Sequence, residues 1–376
     1  MSTPRTVLVI GGGAAGNAAT ILLRRAGVAV DLIEAKDDWN ATAGSGITLQ
    51  GNALRVLREL GVWDRVEKSG YGFGAVGLTA PDGTVLHVAE DLRTGGDELP
   101  ATVGMQRPQL QGILIDAVRA SGATVRLGVR AESLDQDADG VTVRLTDGST
   151  HRYDLVIAAD GLGSATRAAI GITDRPEPTG MAIWRVATPR PAGLTRTDLA
   201  YGGPAYIAGY CPTSESTIYA YVVEANRDRA TIPADSYADE MRRLASAYGG
   251  HWPEITAHIT DPAKVNYTWF DRMLVEGSWH RGRVVLVGDA AHCCPPTLAQ
   301  GAALSMEDAW VLAQMLTASD TWDDALLQAY YERRITRVRP VVEASVQLGQ
   351  WQLDGVRDAD VPGLMGRTMT MLRELP

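Results

Sequence analysis

Apolar residues recur along the chain in short blocks that end in glycine or acid. Thr6–Ile10 is an apolar, β-branched run that stops at glycine, the pattern of a parallel strand buried on both faces. A helical pattern over about 14–26 follows, then a second strand over Val28–Glu34. Asn52 is expected to start a helix over 53–60, which Gly61 ends. From 76 to 89 the period shortens around Pro81-Asp82-Gly83, predicting a β-hairpin. A helix over 108–121 comes next, then strands with a hairpin through Asp147-Gly148, then a strand at Leu155–Ala159. A β-rich stretch fills about 180–224. Its alternation over 217–223 puts Tyr219 and Tyr221 on one face, and Ile218, Ala220 and Val222 on the other. A helix near 235–248, a strand at Val284–Val287, a helix over 302–317 and a C-terminal helix complete the order. Pro340 lies in that last pattern and is expected to kink or break it.

Three strands of this series run into glycine-and-acid turns. The first is Gly11-Gly12-Gly13-Ala14-Ala15-Gly16, with Glu34 at the end of the next strand. Gly11 and Gly13 allow a sharp turn and close approach to a pyrophosphate, and Gly16 lets helix and strand pack tightly. The helix directs unpaired N–H groups and partial positive charge at the phosphates. Glu34 would accept ribose hydroxyls and disfavours a 2′-phosphate. This motif alone does not separate FAD from NAD. The second turn is Asp160-Gly161-Leu162-Gly163-Ser164 with Arg167, and the third is Gly288-Asp289-Ala290-Ala291-His292, running into Pro295-Pro296 and Gln300-Gly301. Asp160 and Asp289 would either bond hydroxyls of a sugar or ribityl chain or cap helices. The expected fold is α/β (α+β overall). A Rossmann-like FAD-binding domain (1–74, 100–178 and 272–345) is interleaved with a β-sheet substrate domain (75–99 and 179–271), and 346–376 form a C-terminal helical segment.

Composition narrows the classes. The 376 residues, 45% hydrophobic and 21% charged, allow one large or two moderate soluble domains. A net charge of −10 argues against nucleic acid as the main partner. Arg333, Arg334, Arg337 and Arg339 read as a solvated helix face. Cys211, Cys293 and Cys294 are an odd number with two adjacent, which suits a reducing compartment rather than disulfides or a metal. No HExxH motif or close His/Cys set suggests a metal site. No apolar run approaches the ~20 residues of a membrane span, so a cytoplasmic protein is expected. Lone His87 reads as surface, and His292 as a residue that holds its turn.

The triple set of turns resembles the single-component FAD-dependent aromatic hydroxylases, the para-hydroxybenzoate hydroxylase-like flavoproteins, over nearly the whole chain. Ser45–Leu49, Gln106-Arg107, Trp184-Arg185 and Gly349-Gln350-Trp351 look most like bacterial alkyl-quinolone monooxygenases, and the urate and hydroxynicotinate hydroxylases are also similar. The resemblance implies a cofactor site at Gly11, Gly13, Ala14, Ala15, Gly16, Glu34, Ala35, Lys36, Thr48, Arg107, Ala131, Asp160, Gly161, Asp289, Pro296, Gly301, Ala302 and Ala303. It places Pro296 beside the ring-hydroxylation site and Gln300 near the isoalloxazine. Arg185, Tyr219 and Tyr221 would either stack an aromatic substrate and bond its oxyanion, or the tyrosines would cover the sheet's outer face or an oligomer interface. Pro296, Gln300, Tyr219 and Arg185 are therefore the catalytic candidates, although no base declares itself. Thr20, where the family usually has alanine, and Lys36, where several members have arginine nearby, depart from the pattern. The implied reaction uses NADH or NADPH as a transient co-substrate and O₂, and oxygenates a small aromatic molecule through a flavin C4a-hydroperoxide. A monomer or homodimer is expected. Epoxidation, Baeyer–Villiger insertion or heteroatom oxidation would use the same cofactor. An NAD-dependent dehydrogenase would leave two turns unexplained and be colourless, and a non-catalytic flavin-binding protein would be yellow but indifferent to NAD(P)H.

Overall fold

The computed structural model describes residues 5–41 and 45–376. Its first sheet has six strands, in the order His280–Arg281, Val284–Leu286, Leu155–Ala158, Thr6–Ile10, Ala29–Glu34 and Thr124–Leu127. All neighbours are parallel except the first pair. Both faces are covered. Val7 and Val9 pack in a core with the helices Ala14–Arg25, Arg107–Ala120 and Gly301–Thr317, while Leu8 and Ile10 pack with Val141, Val143 and Leu145 of a three-stranded sheet. That double burial explains the unbroken apolar runs.

The second sheet has eight strands, in the order His292–Cys293, Asn266–Leu274, Glu177–Pro189, Thr217–Ala225, Ile207–Pro212, Thr197–Tyr201, Ala75–Thr79 and Val85–Glu90. One face carries Trp184, Val186, Ile218, Ala220 and Val222, packed with the helices Tyr237–Ala245 and Trp252–Ala257. The opposite face carries Arg185, Tyr219 and Tyr221 and looks into a cavity against the first sheet's strand ends. The expected hairpins at 76–89 and around Asp147-Gly148 are both present.

Several expectations are corrected. Pro340 does not break its helix, which runs from Asp324 to Leu353. The carbonyl deprived of a partner belongs to Thr336, which is exposed to solvent, and buried Arg334, Val338, Val341 and Ser345 tie both halves to the core. The arginines of that helix are not a uniformly solvated face, because Arg334 and Arg337 are 0% and 6% exposed. Asn52 does not cap its helix. The helix begins at Gly51, and the Asn52 side chain turns inward to Gln300 and Glu307. The pattern over 235–248 yields a shorter helix, Tyr237–Ala245.

Candidate active site

The three turns meet at one end of the parallel sheet. Gly11 has φ +103°, and a Cβ there would stand 2.3 Å from Ala159 O; one on Gly16 would stand 1.9 Å from Gly11 O. Neither position accepts a side chain, because backbone occupies the space. A Cβ on Gly13, Gly161 or Gly301 would meet nothing within 4 Å. These three line an open cradle rather than a packed turn. The Gly12 carbonyl is held by Asn17 Nδ2 at 2.9 Å, Trp39 Nε1 at 2.9 Å and Gln111 Nε2 at 2.7 Å. Its amide donates to Glu34 Oε2 at 2.8 Å. Glu34 therefore shapes the glycine loop as well as facing outward. Val129 N donates to Glu34 O at 3.0 Å and Gly128 N to Lys36 O at 3.1 Å, so Glu34–Lys36 gather with the segment leading to Ala131.

In the second turn the Asp160 carboxylate accepts from Ser164 Oγ at 2.5 Å and Thr166 N at 3.0 Å, which is local capping. Arg167 Nη1 donates to Ala290 O at 3.0 Å and links the second turn to the third. In the third turn Gly288, at φ +60°, turns Asp289 into the cavity wall. Burial raises the Asp289 carboxyl above its ordinary value, although His292, Arg107 and the Ser305 hydroxyl pull it the other way.

The cavity has a volume of about 410 Å³. Gly13, Ala14, Ala15, Thr48, Arg107, Gly161, Asp289, Pro296, Gly301 and Ala302 line it on one side, and Arg185, Tyr219 and Tyr221 on the other. Gly301 and Ala302 open a seventeen-residue helix, whose first amides and dipole favour negative charge. Just before it, Ala299 has φ +53°, the sole non-glycine in the left-handed region among the described residues, so this turn is strained beside the cavity. The Tyr219 and Tyr221 rings lie 5.1 Å apart. Burial keeps both phenols protonated, as donors, although the Arg185 guanidinium pulls Tyr219 the other way. Arg185 donates to Thr268 Oγ1, while its buried Nε has no partner. Arg107 has no ion-pair or hydrogen-bond partner among the described residues. Arg107 and Arg185 thus face one cavity without a carboxylate in ion-pair contact, although Asp289 lines the same cavity and feels Arg107, a setting that suits anionic or electron-rich oxygen.

Some candidates lie elsewhere. Gln300 is fully buried; its side chain accepts from Asn52 at 2.9 Å and donates to Gln50, pointing away from the cavity. Ala303 is packed in the core, and Ala131 and Lys36 are outside the cavity lining. The sequence reading missed Ile183, Leu199, Ile207, Val223 and Phe270, which also line it. Extending the two-residue period from Arg185 and Tyr221 would have found Ile183 and Val223. It also missed a buried ion network. Asp308 accepts from Gly288 N at 2.8 Å, His292 Nε2 at 2.7 Å and Arg334 Nε at 2.6 Å. Glu307 accepts from Arg337 Nε at 2.8 Å and Asn52 Nδ2 at 3.1 Å. His292 accordingly holds its turn.

The model of the FAD binding domain family matches residues 5–345, and the chain belongs to that family. It is 30% identical to the aurachin C monooxygenase/isomerase of Stigmatella aurantiaca, over 94% of this chain and 91% of that protein. It is 32% identical to the 3-amino-4-hydroxybenzoate 2-monooxygenase PtnB3 of Streptomyces platensis, over 91% of this chain and 87% of that protein. Klebsiella pneumoniae HpxO, solved with FAD and uric acid, superposes with a TM-score of 0.83 at 25% identity, over 98% of this chain and 92% of that one. The chain is an FAD-dependent flavoprotein monooxygenase with the para-hydroxybenzoate hydroxylase-like α/β fold. The open cradle at Gly13, Gly161 and Gly301, beside Arg107 and the helix amides at Gly301, fits a dinucleotide flavin. Among the described residues no helix is long and apolar enough to cross a membrane, and no group of His, Cys, Asp or Glu has metal-site geometry.

Proposed function

We propose that the protein uses NADH or NADPH and O₂ to hydroxylate an electron-rich aromatic or heteroaromatic small molecule, with oxygen activated at the flavin C4a position. The observation that carries this reading is one cavity faced by a dinucleotide cradle on one side and an Arg–Tyr–Tyr surface on the other. On this reading Glu34 and the Lys36–Ala131 neighbourhood take the adenosine end. The glycine loop and Arg107 take the phosphates, and Asp289 bonds the ribityl chain. Gly301 and Ala302 present helix amides to the flavin pyrimidine, where negative charge develops on reduction. Arg185 orients an oxygen substituent of the substrate, Tyr219 and Tyr221 donate to it or stack on the ring, and the Pro296 carbonyl borders the reacting edge. The buried walls exclude water from the reacting centre. The names of relatives acting on an aminohydroxybenzoate and on aurachin C support an aromatic substrate.

The test is stopped-flow reduction of the protein-bound flavin by NADH and by NADPH, with and without phenols, hydroxyquinolines and purines. The reading requires at least one aromatic ligand to accelerate reduction and to leave as an oxygenated product. Absence of reduction by either nicotinamide under every condition refutes it.

A further inference from the structure

The eight-stranded sheet ends at Val85–Glu90, with no strand beyond it among the described residues. Every residue of that strand is exposed. Four of the eight large apolar side chains left exposed among the described residues, Val85, Leu86, Val88 and Leu92, lie on it or just past it, and Leu86 is 67% exposed. The strand carries no lysine or proline, the residues that ordinarily blunt a sheet edge. Such an edge offers unpaired backbone groups to any strand that meets it.

Backbone direction decides which groups are free. Asp91 N donates to Gly74 O at 2.9 Å, on the side of the neighbouring strand Ala75–Thr79. Successive residues of an antiparallel strand alternate in direction, so Ala89 and His87 also face that neighbour, while Val88 and Glu90 face outward. Leu86 is the extra residue of a bulge, which ends this regular stretch. A second strand therefore finds its backbone partners at Val88 and Glu90. When two identical strands run antiparallel about a twofold axis at Ala89, Val88 of each copy stands opposite Glu90 of the other, and the outward groups of both are paired. The small alanine then occupies the axis, where opposed Cα atoms of a non-hydrogen-bonded pair approach to about 4.5 Å. The same register sets Leu86 opposite Leu92. It also sets His87 opposite Asp91, whose carboxylate has only the Thr102 hydroxyl as a partner among the described residues. Each contact occurs twice by symmetry. An axis at Val88 or His87 would instead oppose the bulged Leu86 to Glu90 or to Val88, and their backbone groups would not match.

We propose that Val85–Glu90 joins its counterpart in a second copy of this chain, antiparallel about an axis at Ala89, so that two eight-stranded sheets become one continuous sheet in a reversible dimer. The occupant is a second copy because the edge complements itself: its two outward residues pair with each other, its imidazole meets its acid, and its exposed leucines meet. The opposite edge of the sheet is the two-residue strand His292–Cys293, too short to continue the pairing, so the assembly closes at two copies. The cavity-lining strand Thr197–Tyr201 is separated from this edge by Ala75–Thr79, so loss of the dimer leaves the cavity intact.

The test is sedimentation equilibrium of the FAD-loaded protein over about 0.5–50 µM, where the mass should rise from one copy to two. Val88→Pro removes an outward N–H and spares the ladder to Ala75–Thr79, the situation in which an edge strand accepts proline. Leu86→Lys puts charge at both apolar ends of the interface. Each should weaken the dimer about tenfold or more. Bound-flavin absorbance and the melting midpoint of dilute protein should match wild type, which separates lost pairing from lost folding. Leu86→Lys keeps every backbone donor and carries the test if Val88→Pro does not fold. Ala89→Cys checks the register. Oxidised with diamide, it should form an interchain disulfide, whereas Thr84→Cys, far from the axis, should not, with wild type as the control for the native thiols. A monomer at every concentration, or a dimer that either folded variant leaves unchanged, overturns the interface. A dimer sensitive to both variants whose Ala89→Cys form does not cross-link overturns the register.

Discussion

Asp308→Asn is the sharpest perturbation of the scaffold beneath the site. Asp308 and Arg334 are both fully buried, and Arg334 Nη1 already lacks a partner. Asparagine keeps the shape but removes the nearer of the two carboxylates facing Arg334, leaving Glu307 at 3.3 Å. It also sets an amide where three donors converge, from Gly288, His292 and Arg334. Breaking a buried pair by removing one partner costs about 3–5 kcal/mol, because the remaining ion stays desolvated. With an unfolding entropy of about 2.1 cal/mol/K per residue, this chain's is about 0.8 kcal/mol/K, so the melting midpoint should fall by about 4–6 °C. The pH dependence adds a second constraint. Burial pushes the Asp308 carboxyl up, but His292 and Arg334 hold it net below its ordinary 3.8. A depressed carboxyl contributes stability that is present above the unfolded value and lost as pH falls through the folded one. The deficit of Asp308→Asn should therefore stay constant from pH 8 to about 5 and shrink only below about pH 4. Calorimetry of the FAD-loaded protein, with tryptophan and flavin fluorescence as independent probes, reads both. Asp308→Leu combined with Arg334→Leu should be less destabilised than the sum of the single variants. A midpoint within 1 °C of wild type for Asp308→Asn, or strict additivity in the pair, would refute the reasoning.

Gly16→Ala should abolish stable folding, since its Cβ would sit 1.9 Å from a backbone oxygen, whereas Gly13→Ala should leave the apoprotein's melting midpoint unchanged and weaken FAD binding at least tenfold by titration. Arg185→Ala removes a charged donor facing the cavity and should raise KM for a phenolate or carboxylate substrate about 10–100-fold, with a smaller loss for a neutral analogue. Burial raises the thiols of Cys211 to about 11 and of Cys294 to about 12, and that of Cys293 also upward, so iodoacetamide at pH 8 should label them only after unfolding, as read by mass spectrometry. Asp289→Asn should not destabilise the apoprotein near neutral pH, because a raised carboxyl pKa means its ionised form opposes folding there, and thermal unfolding of the apoprotein checks this.

What sequence reveals here depends on the distance over which its chemistry is decided. The three turns are legible because each follows a buried strand within a few residues, and their local constraints appear as glycine and acid in fixed order. The sheet face is legible through the two-residue period that separates Tyr219 and Tyr221 from Ile218, Ala220 and Val222. Arg334 and Arg337 look no different in sequence from Arg333 and Arg339. Arg339 pairs with exposed Glu276 at 2.6 Å, and Arg333 reaches the carbonyl of Pro376. Arg334 and Arg337 are drawn inside by Glu307 and Asp308, about thirty positions away on another helix. Their spacing with Val338, Val341 and Ser345 does mark one helix stripe, but a stripe beginning with arginine reads as surface until its acids are known. The same distance effect acts on Gln300. Its place beside Gly301 put it at the flavin, whereas the amides of Gln50 and Asn52 turn its side chain into the scaffold. Part of the cavity lining was thus readable from strand and turn, whereas Leu199, Ile207 and Phe270 on other strands and the Asp308 and Glu307 partners behind the third turn were not. The supporting layer is where partners lie farthest apart in sequence, and it is the layer that Asp308→Asn probes.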